Sequence, residues 1–288
     1  MSQKIKRPSF GSDPEYAILL NGTPVSGVGY LPGTKKKPFQ MDEHTSCQTD
    51  NVGAELCISP SDNVEDFVKY MNLGRNNIET LLQQTMPGAN LASLSSARYS
   101  PQELNSEQAM EFGCEPSFCC YTGIESPRPR PEDVGNLRSF GFHIHIGFKP
   151  NEHTTIELYE LLVKAMDINL GVASIIIDND AERRQIYGNA GDFRFKRVNE
   201  DLHIVEYRTL GAAMHASDER LRFCFQQTLA AIDMVNNCSV ESINQLGETA
   251  EEIINNGDVD AAIAFVNKMG IIISESIHEN QYQNVCQC

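Results

Sequence analysis

The feature that most constrains the fold is an alternating segment around two histidines, within residues 138–148. Side chains of a β-strand point alternately to its two faces, so His143 and His145 share one face. The opposite face is apolar and carries Phe142, Ile144 and Ile146. The pattern predicts one strand over residues 138–148 that buries its apolar face in a sheet and holds two imidazoles on the other.

Two interpretations of this histidine pair are open. Glycines stand just outside it, at Gly141 and Gly147, and a glycine weakens a strand unless a backbone or a ligand must approach closely. The first interpretation is a metal or phosphate site on the polar face of the sheet. The second is two half-exposed histidines on an ordinary strand, because short motifs often match by chance. The rest of the chain has to decide between them.

Composition indicates a globular protein without membrane contact. The 288 residues suffice for one large domain or two small ones, and 41% apolar and 22% charged residues are typical of soluble proteins. No apolar run reaches the length of a membrane span. Residues 1–7 are basic but lack the apolar core of a secretion signal, which predicts a cytoplasmic location.

Net charge and cysteine content argue against nucleic-acid-binding proteins and against disulfide-rich or zinc-binding proteins. With 23 basic and 39 acidic residues the formal charge is −16, which disfavours direct nucleic-acid binding. A phosphorylated small molecule is still compatible with this charge if metal ions and a few arginines screen it locally. The nine cysteines include no Cys-x-x-Cys pair, so reduced thiols are expected rather than disulfides or a zinc site.

Two predicted strands near the start of the chain carry acidic side chains. Residues 10–22 predict a strand closed by an Asn-Gly turn, and Asp13 and Glu15 would project from it in the same direction. Within residues 48–60, Glu55 lies in an otherwise apolar strand. Because an ionised carboxylate is rarely buried without a cation or a donor, Glu55 is a strong ligand candidate.

Later segments add arginines and another glutamate. Residues 178–194 contain Arg183, Arg184 and Arg194, the densest positive charge in the chain. They read either as a solvated loop or as a cradle for phosphate or carboxylate oxygens. A strand over residues 203–211 places Glu206 and Arg208 on one face, where a simple mutual ion pair is the alternative to a role in a site.

The remaining segments predict secondary structure but contain no candidate site residues. In chain order they are a short strand within 27–33, a helix starting near Ser61 with an Asp62–Glu65 capping box, a long loop over 83–107, a strand starting in 111–118, an extended connection over 126–131, a helix capped by Thr154 or Thr155, and helices from Ser217 onward. No internal repeat is evident.

Acids or imidazoles therefore lie on one face of four predicted strands, each with apolar residues on the other face. Carboxylates outnumber imidazoles and no thiolate pair is present, so a hard cation such as Mg²⁺ or Mn²⁺ is favoured over zinc. Hard cations together with arginines are the components of phosphoryl transfer from a nucleotide.

The order of motifs resembles a family of enzymes. The motifs are Gly-x-Asp-Pro-Glu, Glu-Leu-x-x-x-Pro, Phe-Gly-Cys-x-Pro, Gly-x-His-Ile-His-Ile-Gly, Tyr-Gly-x-x-Gly-x-Phe-Arg and Glu-Tyr-Arg-Thr-Leu-Gly. Together they resemble the carboxylate–amine ligases, or amidoligases, often encoded by bacteriophages and similar in fold to glutamine synthetase and glutamate–cysteine ligase. The resemblance covers roughly residues 10–211, and the combination is much more specific than any one motif.

The resemblance implies an α+β fold: a curved, mainly antiparallel sheet of the glutamine synthetase catalytic-domain type, backed by helices. We expect a single ligase-like domain over residues 1–288. The resemblance does not assign residues 212–288, whose helical pattern predicts a part packed on the sheet or against a second subunit. The implied cofactors are ATP and Mg²⁺ (or Mn²⁺). A small-molecule or peptide carboxylate is phosphorylated and an amine then displaces phosphate, in the host cytoplasm if the protein is phage-encoded.

The resemblance also assigns roles to residues. The metal ligands would be Asp13, Glu15, Glu55, His143 and Glu206. Nucleotide phosphates would be contacted by His145, with Arg183 and Arg184 as further phosphate contacts from the arginine-rich segment. Arg194 would hold the transferring phosphate, Arg208 the substrate carboxylate or phosphate, and Asp50, in a loop, would receive the amine's proton.

Three departures from the pattern leave the substrates open. Position 13 is Asp where Glu is usual, Ile204 stands where glutamine synthetases have another arginine, and the small N-terminal domain of those enzymes has no counterpart. Two other functions also remain open. One is a metal-dependent hydrolase or oxygenase that uses His143, His145 and a carboxylate, and the other is a structural protein that keeps the fold without turnover.

Overall fold

Short apolar strands and amphipathic helices build the described part of the chain, residues 4–111, 116–127 and 129–278, in this computed structural model. The strands are β1 (Ser9–Ser12), β2 (Glu15–Leu20), β3 (Thr23–Val25), β4 (Phe39–Gln40), β5 (Thr45–Asp50), β6 (Gly53–Ile58), β7 (Ala89–Ala92), β8 (Ser96–Arg98), β9 (Phe118–Cys119), β10 (Leu137–Ser139), β11 (Ile144–Phe148), β12 (Asp192–Asn199) and β13 (Leu202–Tyr207). The described strand pairs are antiparallel.

Helices alternate with these strands and dominate the last third. They are α1 (Val64–Thr85), α2 (Pro131–Val134), α3 (Ile156–Met166), α4 (Val172–Ile177), α5 (Ala181–Arg184), α6 (Asp218–Asn237), α7 (Val240–Asn256), α8 (Val259–Met269) and α9 (Glu275–His278). A π-helical turn, Asp167–Gly171, joins α3 to α4. The predicted α+β class, antiparallel sheet backed by helices, is confirmed.

The strands form two main sheets and one small ribbon. The five-stranded sheet has the order β1-β11-β13-β12-β9, and the six-stranded sheet has the order β3-β2-β6-β5-β4 with β7 paired to β2. β8 and β10 form the ribbon. The histidine-bearing strand β11 therefore lies inside the five-stranded sheet, between β1 and β13, where its apolar face is buried.

The chain passes from one sheet to the other at Asp13-Pro14, between β1 and β2. The carbonyl of Pro14 accepts a hydrogen bond from the backbone N–H of Leu56, at 3.0 Å. One residue later, the N–H of Glu15 donates to the carbonyl of Gly141, at 2.9 Å. Proline fixes its own φ and lacks an N–H, so it suits a position where a strand ends and pairing changes. This junction brings residues of both sheets together.

Helices cover the five-stranded sheet in two layers. α3 packs against β12 and β13, and α6 packs against α3 and α1. The ring of Phe225 in α6 lies 4.6 Å, centroid to centroid, from that of Phe10 in β1. α7 and α8 pack chiefly on α3, the π turn and α4, so they form an outer layer on other helices. One apolar cluster connects both sheets with these helices. The single domain over residues 1–288 stays a prediction.

Several predicted boundaries are wrong. The single strand over 138–148 is two strands in different sheets, because the backbone between Phe140 and His143 leaves the β8–β10 ribbon and enters the five-stranded sheet. The segment 27–33 contains no strand, and β3 precedes it. The expected loop over 83–107 instead holds the end of α1 and the strands β7 and β8.

Helix starts were predicted more closely. α1 is capped by Asn63, whose side chain accepts a hydrogen bond from the N–H of Asp66 at 2.9 Å, one residue beyond the expected Asp62 cap. Thr155 and Ser217 stand at the N-caps of α3 and α6 as expected. Part of the strand expected in 111–118, and Arg128 of the extended connection, lie outside the described residues.

Candidate active site

A cavity of about 450 Å³ opens where the two sheets meet, a size typical of small-molecule sites. Of the eleven predicted site residues, eight line it: Asp13, Glu15, Asp50, Glu55, His143, Arg183, Arg194 and Arg208. The other three, His145, Arg184 and Glu206, are not among its lining residues. His145 and Glu206 nevertheless lie directly beside residues that do line it, as their contacts show.

Strand register in the five-stranded sheet sets four residues side by side. His145 of β11 is paired with Gly11 of β1 on one side and Glu206 of β13 on the other, and Arg194 of β12 is paired with Glu206. Directly opposed residues on neighbouring strands have side chains about 5 Å apart on the same face. The sequence therefore folds an imidazole, a carboxylate and a guanidinium into one row across three strands.

Asp13, at the sheet junction, joins this row. Its Oδ1 lies 3.0 Å from Nδ1 of His143 and 3.4 Å from Nε2 of His145. Glu206 Oε1 is ion-paired with Arg208 and lies 3.5 Å from Nη1 of Arg194. We call these side chains, which alternate in charge, the mixed cluster: Asp13, His143, His145, Arg194, Glu206 and Arg208.

Three members of the mixed cluster have the arrangement of a cation site. One donor atom each from Asp13, His145 and Glu206 lies within 4.8 Å of the others. The Nε2 atom of His145 is buried and, among the described residues, forms no well-oriented hydrogen bond, although Oδ1 of Asp13 lies 3.4 Å away. A divalent cation with two carboxylates and one imidazole would give this buried nitrogen a well-placed partner. The residues present therefore fit a hard metal ion.

The structure distributes the two histidines differently from the prediction. His145, expected to contact nucleotide phosphates, is the imidazole in the three-residue group, whereas His143 was expected to be the ligand. The Nδ1 atom of His143 lies 3.4 Å from Nη1 of Arg208 as well as close to Asp13. Gly141 is explained by the same ring, because a Cβ there would lie 2.6 Å from Nε2 of His143.

Opposite charges control ionisation within the mixed cluster. Burial disfavours the charged form of Asp13, but attraction to His145 and His143 outweighs it and holds the pKa of Asp13 well below its ordinary value. Burial likewise opposes the charge on Glu206, and Arg208 more than compensates, so the pKa of Glu206 is lowered. Burial opposes protonation of His145, yet Asp13 raises the pKa of its imidazole.

The six-stranded sheet presents a second, purely acidic group. Glu15 of β2 is directly opposite Glu55 of β6, and we call these two residues the acidic pair. Glu55 is only 8% exposed, and its carboxylate accepts a hydrogen bond of 2.5 Å from Nε2 of Gln48 on β5. Glu15 accepts one of 2.7 Å from the backbone N–H of Gly141. The expectation that Glu55 is a buried carboxylate in an apolar strand is confirmed.

Neighbouring side chains compensate the charges of the acidic pair poorly. Burial, followed by repulsion from Asp13, Asp50 and Glu15, raises the pKa of Glu55 well above its ordinary value. Burial also raises the pKa of Glu15, against the attraction of His143. Two opposed carboxylates with raised pKa values, Glu55 buried and Glu15 half-buried, accept hydrogen bonds from amides and have the electrostatics of a site that takes a cation.

The arginine-rich segment is only partly directed at the cavity. Arg183 is 3% exposed and its guanidinium donates to the carbonyls of Thr209 and Leu210 at 2.9 and 2.8 Å, which ties α5 to the end of β13. Arg184 donates to the carbonyl of Asp178 and is not among the lining residues. The expected phosphate cradle therefore does not include Arg184, and Arg183 is committed to backbone contacts. Arg194 lines the cavity.

Among the other lining residues, the loop setting predicted for Asp50 is wrong, and several residues were not singled out from the sequence. Asp50, expected in a loop, is the last residue of β5, and its Oδ1 lies 2.7 Å from Nζ of Lys35. Gln48, two residues earlier in the same strand, shares its face, so the alternation rule could have identified it. Tyr187 and Asp192 also line the cavity, and both belong to the motif from which only Arg194 was chosen.

Comparisons with known proteins give a weak signal. No protein-family model matches the sequence, and no curated protein matches it, so the resemblance to amidoligases rests on the six motifs. Among solved structures, a bifunctional glutathione synthetase from Pasteurella multocida is 13% identical with a TM-score of 0.46, covering 94% of this chain and 46% of that one. A Plasmodium falciparum glutamine synthetase is 11% identical with a TM-score of 0.41, covering 82% of this chain and 53% of that one.

This chain thus spans about half the length of the solved structures that it matches. Similarity at this level says nothing about what the chain binds or transforms. None of the helices in the described residues has the length and apolar character needed to cross a membrane.

Proposed function

We propose that this chain is an ATP-dependent carboxylate–amine ligase that forms an amide or peptide bond through an acyl phosphate. The observation that carries the proposal is the convergence of Asp13, Glu15, Glu55, His145 and Glu206 on the junction of two sheets, with Arg194 and Arg208 beside them. The resemblance of the six sequence motifs to amidoligases supports the same reading.

The mixed cluster and the acidic pair would hold Mg²⁺ or Mn²⁺ at two neighbouring positions. Asp13, His145 and Glu206 would bind at the first, and Glu15 and Glu55 at the second. Cations bound there would neutralise phosphate oxygens of ATP and reduce their repulsion of an attacking carboxylate. The excess negative charge of the acidic pair supports this assignment, because a cation would relieve it.

The remaining side chains would orient the reactants. Arg194 and Arg208 are guanidinium groups beside the cavity, suited to holding the transferring phosphate and the substrate carboxylate. A carboxylate oxygen of the substrate attacks the γ-phosphorus, and ADP leaves. The amine nitrogen then attacks the acyl carbon, the C–O bond to phosphate breaks, and Asp50 accepts the proton that the amine loses.

A two-stage experiment tests this function. Calorimetric titration of the wild-type protein with Mg²⁺ and a non-hydrolysable ATP analogue should show binding at millimolar concentrations or below. A panel of amino acids and polyamines, paired with carboxylates, should then reveal amine-dependent release of ADP and phosphate. Glu55→Gln should abolish that release, whereas Glu252→Gln, an exposed site on α7, should not. Absence of nucleotide binding would exclude the ligase.

One observation favours a second candidate, a metal-dependent hydrolase or oxygenase. Both imidazoles approach the same oxygen of Asp13, at 3.0 Å for His143 and 3.4 Å for His145. Two histidines and one carboxylate are a common ligand set for Fe²⁺. Metal analysis of the purified protein separates the two functions, because stoichiometric iron or zinc would favour this candidate over the ligase.

A further inference from the structure

A buried carboxylate lies behind the five-stranded sheet, on the side opposite the cavity. Asp167, the first residue of the π turn, is 0% exposed. Its Oδ1 accepts a hydrogen bond of 2.6 Å from the hydroxyl of Tyr207 and lies 3.4 Å from Oγ1 of Thr209. Its Oδ2 accepts one of 2.9 Å from the hydroxyl of Tyr121. Burying a carboxylate is expensive, and here its oxygens have several donors.

These donors alternate with residues of the candidate active site. Side chains along β13 and its continuation point alternately to the two faces, so Glu206 and Arg208 face the cavity while Tyr207 and Thr209 face Asp167. One carboxylate thus contacts every second residue of the segment whose other residues belong to the mixed cluster. The position of Glu206 relative to Asp13 and His145 therefore depends on how closely β13 packs against Asp167.

The same carboxylate also reaches the segment that leads into β12. The backbone N–H of Gly191 donates to Asp167. The backbone carbonyl of the next residue, Asp192, accepts a 3.0 Å hydrogen bond from the backbone N–H of Arg208. Arg194 follows two residues later in β12. Asp167 therefore links the backbones that carry Arg194, Glu206 and Arg208.

Local backbone features make this contact possible. A π turn adds one residue to a helical turn, interrupts the regular hydrogen-bond pattern and is frequent at functional sites. The last residue of the turn, Gly171, also has to be small for this contact to form. A Cβ at that position would lie 2.5 Å from the hydroxyl of Tyr207 and 3.0 Å from Oδ1 of Asp167. A larger residue would push the tyrosine and its strand away.

We propose that Asp167 is a positioning residue that fixes β13 from behind and so keeps Asp13, His145 and Glu206 at cation-binding distance. The inference rests on the cation site of the proposed function. Residues that orient metal ligands without touching the metal commonly change metal affinity 10- to 100-fold when they are substituted. The hydrogen bond between Tyr207 and Asp167 is the connection that transmits the effect.

Mn²⁺ binding, measured by calorimetry and by electron paramagnetic resonance on the full chain, tests the proposal without requiring turnover. Tyr207→Phe removes one hydroxyl and should weaken Mn²⁺ binding about 10-fold. The matched control is Tyr159→Phe, which removes another largely buried hydroxyl that contacts β13 from behind, bonded at 2.6 Å to Nδ1 of His203 near the other end of the strand, away from Asp167. Both variants should lose similar thermal stability, but the control should bind Mn²⁺ within 2-fold of wild type.

The conservative variant sharpens the test. Asp167→Asn keeps an acceptor for Tyr207 and should retain Mn²⁺ affinity within about 3-fold, whereas Asp167→Ala should lose about 10-fold or more. If Tyr207→Phe does not fold, Thr209→Val takes its place with an expected loss of about 3-fold.

Each outcome decides the question. Equal Mn²⁺ affinity in wild type and Tyr207→Phe, or equal losses in Tyr207→Phe and Tyr159→Phe, overturns the positioning role and leaves the cation site standing. Absence of Mn²⁺ binding by the wild type overturns the cation site, and the positioning role with it. A loss of Mn²⁺ affinity in Tyr207→Phe and Asp167→Ala that is absent from Tyr159→Phe supports the proposal.

Discussion

The mixed cluster and the acidic pair contribute to the same site from different sheets, and their charge balance differs. In the mixed cluster, Glu206 pairs with Arg208, and Asp13 lies within 3.4 Å of two imidazoles. In the acidic pair, Glu15 and Glu55 oppose each other and accept hydrogen bonds from amides. The first group is nearly neutral by itself, whereas the second is not.

The difference teaches which carboxylates a ligand must neutralise. Lowered pKa values at Asp13 and Glu206 mean that these groups are ionised and internally compensated, so their charges stabilise the fold. Raised pKa values at Glu15 and Glu55 mean that ionisation costs folding free energy. We expect cation binding to stabilise the protein chiefly through the acidic pair, while the mixed cluster supplies geometry.

The largest effect is expected for Glu206→Gln. Removing this charge leaves Arg208, whose side chain is only 12% exposed, without its carboxylate, which should lower the free energy of unfolding by about 3 kcal/mol. Turnover should fall on the order of 10²–10³-fold, because a ligand and an arginine partner are both lost. Urea unfolding in EDTA and ADP release measure the two effects. Unchanged stability in EDTA would contradict the claim that the mixed cluster is internally compensated.

Asp167→Asn should change how stability depends on pH. Burial raises the pKa of Asp167 to about 7, although hydrogen bonds from Tyr207 and Tyr121 lower it, whereas the unfolded carboxyl titrates near 3.8. The folded state therefore holds an extra proton between these values, and stability falls as pH rises from about 4 to about 7. The loss is at most about 4 kcal/mol, at about 1.36 kcal/mol for each pKa unit.

Urea unfolding at pH 5 and pH 8 measures this effect. Asp167→Asn should remove most of the fall in stability that the wild type shows. Asp260→Asn, an exposed substitution on α8, should leave the fall unchanged. Identical pH profiles for Asp167→Asn and the wild type would show that the carboxyl behind the mixed cluster does not titrate in this range.

A smaller effect, on the KM for ATP, is expected to distinguish Arg194 from Arg184, two arginines of the segment 178–194. Arg194 lies 3.5 Å from Glu206 and lines the cavity, whereas Arg184 donates to the carbonyl of Asp178. Arg194→Gln should raise the KM for ATP about 10-fold, because one charge-assisted contact is lost. Arg184→Gln should change it less than about 2-fold. Steady-state ADP release tests the pair, and equal KM values would contradict the placement of Arg194 in the mixed cluster.

The smallest change in folding stability is expected for Glu55→Gln, and its sign is opposite to that of Glu206→Gln. Because the pKa of Glu55 is raised, its charge costs folding free energy above its ordinary titration range, and the amide removes that cost. Stability at pH 8 in EDTA should rise by about 1 kcal/mol. Addition of Mn²⁺ should then stabilise the variant less than the wild type. A loss of stability in EDTA would contradict the imbalance of the acidic pair.

Alternation along single strands was enough to predict part of this site. It predicted the buried carboxylate of Glu55, the shared face of His143 and His145 and the shared face of Glu206 and Arg208, because each depends only on the period of a strand. In these cases the information is local. The α+β class, by contrast, was implied by the resemblance of the six motifs to amidoligases.

Alternation could not predict contacts that depend on strand order or on loop geometry. The grouping of His145 with Asp13 and Glu206 requires β11 to lie between β1 and β13, and no local pattern specifies that order. Arg184 and Arg194 look alike in sequence, yet a short helix directs one of them away from the cavity. In the sequence, Asp167 simply follows the last residue of an amphipathic helical pattern. Only the π turn brings its carboxylate to the hydroxyl of Tyr207.

The passage of the chain between sheets at Asp13-Pro14 has a consequence for tolerance to change. Only one residue, with a fixed φ, separates Asp13 of the mixed cluster from Glu15 of the acidic pair. Covalent geometry, rather than packing, therefore limits how far apart the two proposed cation positions can be. Repacking of the core away from Asp167 and β13 should leave the spacing of Asp13 and Glu15 unchanged, but inserting a single amino acid after Pro14 would uncouple the two halves of the site.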